Sequence, residues 1–403
     1  MMNVNNQWKY VLPILAVALF ILGAVVYHAY RSHRGENLNG KVYQGEAPPI
    51  APPVILAVPP AEPKNEIKAV LPTPPPPSME RMKREGCVTD GLLNGDFPND
   101  GAALDLVNRS KCYFLSRAIE TWLAPPDWDK IDSGLAKLRP GFLLGMFIAE
   151  AIDTSADYYY PEKDRSFDFG AMCRPGTKGF WGVRTCKPSF QRDEYRAYIR
   201  TITRQAMDRN VQVFLFGQIY LQDANDLSQT VVPQIIAEMR DYAALRGMKI
   251  FIGAQTNDVS DPKYLRLFDF IEGGVGISAS GSVETGPCFS RWYKKPGDWC
   301  WGLLWNDRFA KNANNVFLHL DWSGKIGDDM DVFAKMDQKT RAVTLRSLYA
   351  SFTGRGMGFL LPYVARLSAD NGGCSGPVKR YYTPDMRYSC QDETAIASIL
   401  SGK

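Results

Sequence analysis

Hydrophobic and polar positions follow two periods along the last three quarters of the chain. Short runs that are apolar throughout, or apolar at every second position, fit strands buried in a parallel sheet. Longer stretches with apolar residues three and four apart fit helices. The strand candidates are 142–149, 212–220, 249–254, 268–274, 315–322 and 358–363. The helix candidates between them are 193–208, 230–246 and 330–352. The first helix opens with Asp193 and Glu194, which suits the positive end of a helix dipole. Pro233 fits the first turn of the second, and Gly247 and Gly354 stand where helices end.

Strand alternating with helix predicts an α/β fold on a parallel sheet. Over a domain of roughly 310 residues, a (β/α)8 TIM-like barrel, with distortion, is preferred to an open doubly wound sheet. No glycine-rich turn of the dinucleotide-binding kind follows the first strand. Six strand candidates leave two to find, in irregular segments such as 166–172 or in the C-terminal tail.

The polar residues gather at the C-terminal ends of the strands, the face on which barrels build their sites. Glu150 and Asp153 end the first. Gln218 and Tyr220 end the second, Gln255 and Asp258 the third, and Glu272 the fourth. Asp321 and Trp322 end the fifth, beside His319, and Tyr363 the sixth. Turns favour Gly, Asn, Asp and Ser, whereas Glu and Gln have no such local use. Glu150, Gln218, Gln255 and Glu272 therefore suggest a polar cleft. Each also has a plainer reading: Glu150 neutralised by an arginine such as Arg366, Asp321 capping its loop, Glu272 ending its strand, His319 a satisfied core residue.

Composition narrows the chemistry. His28, His33 and His319 are the only histidines of 403 residues, so a histidine-based triad or multi-histidine metal site is nearly excluded. No phosphate-binding loop and no GxSxG elbow occurs. A net charge of +4, spread along the chain, gives no case for nucleic acid. Two carboxylates among amides and aromatic rings are what glycosidic cleavage needs, without metal or cofactor. Aromatic rings are at hand in "DYYYP", with Tyr159, and in "RWYKKPGDWCWGLLW", with Trp292.

On these strand ends, residues 139–367 resemble the TIM-barrel glycoside hydrolases. The resemblance implies Glu150, Asp321 and Glu272 as catalytic carboxylates. It implies Asp153, Tyr159, Gln218, Tyr220, Gln255, Asp258, Trp292, Trp322 and Tyr363 as substrate-binding residues. The Asn-Glu pair that many of these hydrolases carry at one strand end is missing; the third strand has Gln255 and Asn257 instead. A catalytically inactive barrel that binds glycan, or that is a structural part of an envelope or secretion assembly, is the alternative.

The N-terminal quarter reads differently. After a tail of residues 1–9, residues 10–30 contain the uncharged run "YVLPILAVALFILGAVVY", long enough to cross a bilayer as a single-pass anchor. A linker of residues 31–84 follows; twelve prolines in 47–78 favour an extended spacer reaching roughly 100 Å. This plan resembles Gram-negative envelope proteins of the TonB type, which implies possible envelope partners for the linker. The disulfide-stabilised domain occupies 85–403.

Eight cysteines, none before Cys87, fall into four neighbouring pairs: Cys87 with Cys112, Cys173 with Cys186, Cys288 with Cys300, Cys374 with Cys390. Their spacing fits no zinc motif, and an oxidising compartment is expected. Arg31, Arg34 and Lys41 after the apolar run argue for a cytoplasmic domain. The cysteines argue the opposite and carry more weight. The expectation is an inner-membrane protein with its large domain in the periplasm, acting on a polysaccharide.

Overall fold

In the computed structural model the described residues are 74–95, 100–223, 230–257, 259–284, 304–322, 328–367, 374, 381–385 and 390–402. The apolar run of 10–30, most of the proline linker and the tryptophan-rich loop with Cys288 and Cys300 lie outside them. Among the described residues no helix is long and apolar enough to cross a membrane.

The fold is α/β, on a curled parallel sheet. Its strands are β1 Gly86–Thr89, β2 Phe114–Glu120, β3 Leu143–Ile148, β4 Val213–Phe216, β5 Phe251–Ala254, β6 Phe270–Gly274, β7 Val316–His319, β8 Gly358–Phe359 and β9 Leu361–Arg366. Each of β1 to β7 lies parallel to the next. β8 pairs with β7, and β9, one residue on, pairs with β1. One run of chain thus touches both ends of the series, with Leu360 bonding back to the Leu318 carbonyl. A short β10, Tyr381–Tyr382, runs antiparallel to β9.

The alternation of side chains along these strands builds two cores. Outward residues such as Ile148, Phe214, Ile252, Ile271 and Leu318 pack under helices including Asp193–Met207 and Val231–Leu245. Inward residues Val88, Phe114, Leu143, Phe147, Val213, Leu215, Phe251, Phe270, Phe317 and Leu360 form a second cluster inside the curl. Phe317 meets Phe270 edge-on at 5.0 Å and Phe114 at 6.4 Å. Room for these rings is made by small neighbours: a Cβ on Gly253 would collide with the Phe270 ring. Met82, from the helix Met79–Glu85, joins the inner cluster and is fully buried.

Two expectations change. The missing strands are β1 and β2, not 166–172, where only Arg165–Ser166 forms a short hairpin with Tyr159–Tyr160. The single helix expected over 330–352 is two, Asp329–Ala334 and Gln338–Gly354. Asp337 explains the break: its side chain accepts from the Thr340 amide and starts a new helix. Disulfides Cys87–Cys112, Cys173–Cys186 and Cys374–Cys390 match the expected pairing.

Replacing Phe317 with alanine removes the ring at the centre of the inner cluster. Urea unfolding should register a loss of about 3–5 kcal/mol. A loss below about 1 kcal/mol would show that the inner core is not packed around it.

Candidate active site

The inward rows continue past the apolar cluster into polar residues. On β6 the inward row is Phe270, then Glu272; on β7 it is Phe317, then His319 and Asp321; on β5 it runs from Phe251 toward Gln255. These residues line an open cleft of about 630 Å³, together with Asp90, Arg117, Glu120, Glu150, Gln218, Asn257, Trp122, Trp181, Trp322 and Arg366. The polar floor is thus the top of the inner core, held by the same strand pairings.

Three of the seven described non-glycine residues with positive φ line the cleft. Arg117, Gln218 and Asn257 have positive φ angles of 59°, 23° and 47° although none is glycine. Such residues cost roughly 1–3 kcal/mol each and concentrate at functional sites. At Arg117 the β2–β3 register shifts between Leu115 and Ile119. A bulge of this kind re-aims a side chain. The guanidinium lies 3.8 Å over the Phe147 ring and 4.5 Å from the Trp322 ring. It contacts Glu120 at 2.6 Å and Asp90 at 3.4 Å. Burial still pushes the Glu120 carboxyl up to about 8, against the pull of Arg117.

His319 sits between two carboxylates. Its Nδ1 is 3.3 Å from Glu272 and its Nε2 is 3.8 Å from Asp321. These are ion-pair contacts and not aligned hydrogen bonds, since neither Glu272 oxygen nor Nδ1 has a hydrogen-bond partner. Burial pulls the imidazole down, but Asp321 and Glu272 outweigh it and hold its pKa at about 9. The ring also packs on Trp322, 4.8 Å away.

Glu150 follows β3 and is almost wholly buried. Gln218 donates to its Oε1, while its Oε2 has no hydrogen-bond partner. Among the described residues no ion pair reaches it, from Arg366 or any other side chain. Burial raises its pKa; its own backbone amide, Arg117, Gln218 and Lys187 oppose that rise. Gly217 gives the carboxylate its space, because a Cβ there would strike Oε2 and the Phe147 ring.

Of the residues expected from sequence, Glu150, Gln218, Gln255, Glu272, Asp321 and Trp322 meet in this cleft. Four described ones do not. Asp153 closes an exposed turn, accepting from the amide and hydroxyl of Ser155, with Arg184 at 3.7 Å. Tyr159 is exposed and bonds Asp164. Tyr220 belongs to the short helix Ile219–Gln222 and does not line the cleft. Tyr363 faces outward and is buried in the core beneath the helices. Asp258 and Trp292 lie outside the described residues. Sequence reading missed Arg117, Glu120 and Asp90 because it missed β1 and β2. It also missed Trp122, which meets Trp181 edge to face at 5.5 Å on the cleft wall. The charged pair inside "FLSRAIE" was the available signal. Among the described residues no cluster of acids, histidines and cysteines could hold a metal ion.

No protein-family model matches the chain, and no curated protein matches it. Among solved structures the fold is similar to that of trehalose-6-phosphate hydrolase from Bacillus licheniformis. Identity is 10% and the TM-score 0.42, over 72% of this chain and 66% of that one. It is similar to a GH36 α-galactosidase from Geobacillus stearothermophilus, at 8% identity and a TM-score of 0.37, over 80% and 42% of the two chains. A GH27 β-L-arabinopyranosidase from the same organism is similar at 10% identity and a TM-score of 0.23, over 36% of this chain. The chain covers about a third of that enzyme, 32%. These are glycoside hydrolases; the likeness is slight, and no residue role is carried over from it.

The His319 site predicts a pH dependence. An unfolded histidine titrates near 6.5 and His319 at about 9, so between these values the folded chain keeps a proton the unfolded chain has lost. Stability should be full below about pH 6.5 and fall as pH rises toward 9. Denaturation midpoints for the protein and for His319→Gln should diverge in slope across that window. Parallel slopes would mean the imidazole is not charged in the fold.

Proposed function

We propose that this domain is a (β/α)8-barrel glycoside hydrolase acting on a polysaccharide. The observation that carries the reading is the pairing of two differently held carboxyl groups in one aromatic-walled cleft. Glu150 is buried with a raised pKa, as a proton donor to a leaving oxygen needs. Asp321 is partly exposed beside a charged imidazole, as a nucleophile or a water-activating base needs. Glu272 sits on the other side of that imidazole and holds it. The rings of Trp122, Trp181 and Trp322 offer flat faces for sugars. The barrel reading is supported by the single run of chain, β8 to β9, that pairs with both ends of the parallel series.

The wider setting is proposed from sequence: an inner-membrane anchor at 10–30, a proline spacer, and a periplasmic domain cleaving an envelope or exported polysaccharide. The disulfides among the described residues agree with an oxidising compartment.

A second reading, a catalytically inactive glycan-binding barrel, has one specific observation behind it. The Arg117 guanidinium lies against the rings of Phe147 and Trp322, faces a sugar would otherwise use.

Incubation of the purified protein with a panel of bacterial polysaccharides, with reducing ends counted, separates the two. The hydrolase reading expects product from at least one substrate and a loss of at least about 100-fold in Glu150→Gln and in Asp321→Asn. Binding without product from any substrate would favour the inactive barrel. Activity that survives both substitutions would remove these residues from the mechanism.

A further inference from the structure

The long loop between β3 and the helix Asp193–Met207 carries charge that the cleft chemistry does not use. Between Phe169 and Arg192 it has Arg174, Lys178, Arg184, Lys187 and Arg192, and no acidic residue. Arg184 contacts Asp153 at 3.7 Å. The other four form no ion pair among the described residues. Of the nearest acids along the chain, Glu194 is engaged with Arg165 and Asp193 with Arg196, while Asp168 accepts from the Ala171 amide beside Gly170 and forms no ion pair among the described residues.

Arg174, Lys178 and Arg192 line a second pocket, of about 360 Å³. Its wall includes Cys173, which the disulfide to Cys186 ties back into the loop. The Arg174 amide donates to the Lys187 carbonyl at 2.8 Å, joining the two halves of the loop. The same loop sends Trp181 into the cleft wall, and the field of Lys187 reaches Glu150. One disulfide-tied loop thus supplies an aromatic wall of the cleft and a pocket lined by three cations, with the single carboxylate of Asp168 beside it. Like charges held together repel, and an anion that enters relieves this. Arginine is suited to the task because its planar fork matches carboxylate, phosphate and sulfate groups.

We propose that this pocket is an anion subsite and that the glycan taken by the cleft is acidic, bearing carboxylate, sulfate or phosphate groups along its chain. The proposal rests on the glycan reading of the cleft and adds the substrate's charge. The loop also exposes Phe180 and Val183, a pattern that would suit an anionic bilayer. The concave pocket, which a flat lipid surface would not fill, and the position of Trp181 in the cleft favour the glycan.

The test is binding by the full-length protein with its apolar segment held in phosphatidylcholine nanodiscs, free of detergent. The probes are polygalacturonate, dextran sulfate, uncharged dextran and amylose, and vesicles containing phosphatidylglycerol. The anionic polymers should bind at least about 10-fold more tightly than the neutral ones, and the difference should shrink as salt rises. Their relative affinity distinguishes carboxylate from sulfate as the preferred group. Arg174→Gln/Lys178→Gln/Arg192→Gln should lose about 10-fold on the anionic polymers and leave the rest unchanged. Lys178→Glu, at an exposed position, should weaken the same binding with an unaltered melting temperature. Binding of neutral polymers alone would overturn this proposal and leave the glycan reading standing; binding of no polymer would overturn both. Binding of the vesicles alone, lost in the triple variant, would reassign the loop to a membrane surface.

Discussion

Carboxylates crowded at one end of a curled parallel sheet, most of them buried, cannot all be charged without compensation, and the rest of the site follows from how that is resolved. Burial of an isolated carboxylate is expensive enough that the group either finds a positive partner or takes up a proton. Both solutions are present. Arg117 serves Glu120 and Asp90, and His319 serves Glu272 and Asp321. Glu150 has only an amide donor and a distant field, so its pKa rises. The division leaves two buried carboxyls, Glu150 and Glu120, with raised affinity for a proton and one partly exposed carboxylate, Asp321, in the same cleft, and it gives the site its chemical asymmetry.

The inner core makes this arrangement possible. Rings from β2, β5, β6 and β7 fill the curl below the polar row. The side chains one step further along each inward row have no apolar space left and emerge at the mouth. Arg117 would follow the strand's own alternation were it not for the bulge and positive φ that turn it across Phe147 and Trp322. The strain is local, and the ion pairs and ring contacts formed there offset it.

How much of this was legible in sequence depended on whether the signal was local. The strands β3 to β7 were legible because they are apolar and buried on both faces. The two catalytic candidates flanking His319 were legible because alternation places Phe317, His319 and Asp321 on one face. β1 was too short to stand out beside the helix before it, and β2 was broken by Ser116 and Arg117. With them went Arg117 and Glu120, so the main source of positive charge in the cleft stayed hidden. Asp153 and Tyr159 fell short for another reason: five and eleven residues past the end of β3, the chain already runs in short antiparallel pairs of its own. Tyr363 was misjudged by parity, since its strand turns it toward the helices. Trp181 reaches the cleft through a fold of the loop that no spacing announces.

The most direct test of the account is the protonation state of Glu150 itself. In protein carrying carboxyl-labelled glutamate, the signal lost in Glu150→Gln can be assigned and followed with pH by NMR. The account predicts a carboxyl whose pKa lies above the ordinary glutamate value of about 4.3 and rises further in Gln218→Leu, which removes a donor to its charged form. A Glu150 signal that titrates at or below the ordinary value would contradict it, because Glu150 would then hold no proton to donate.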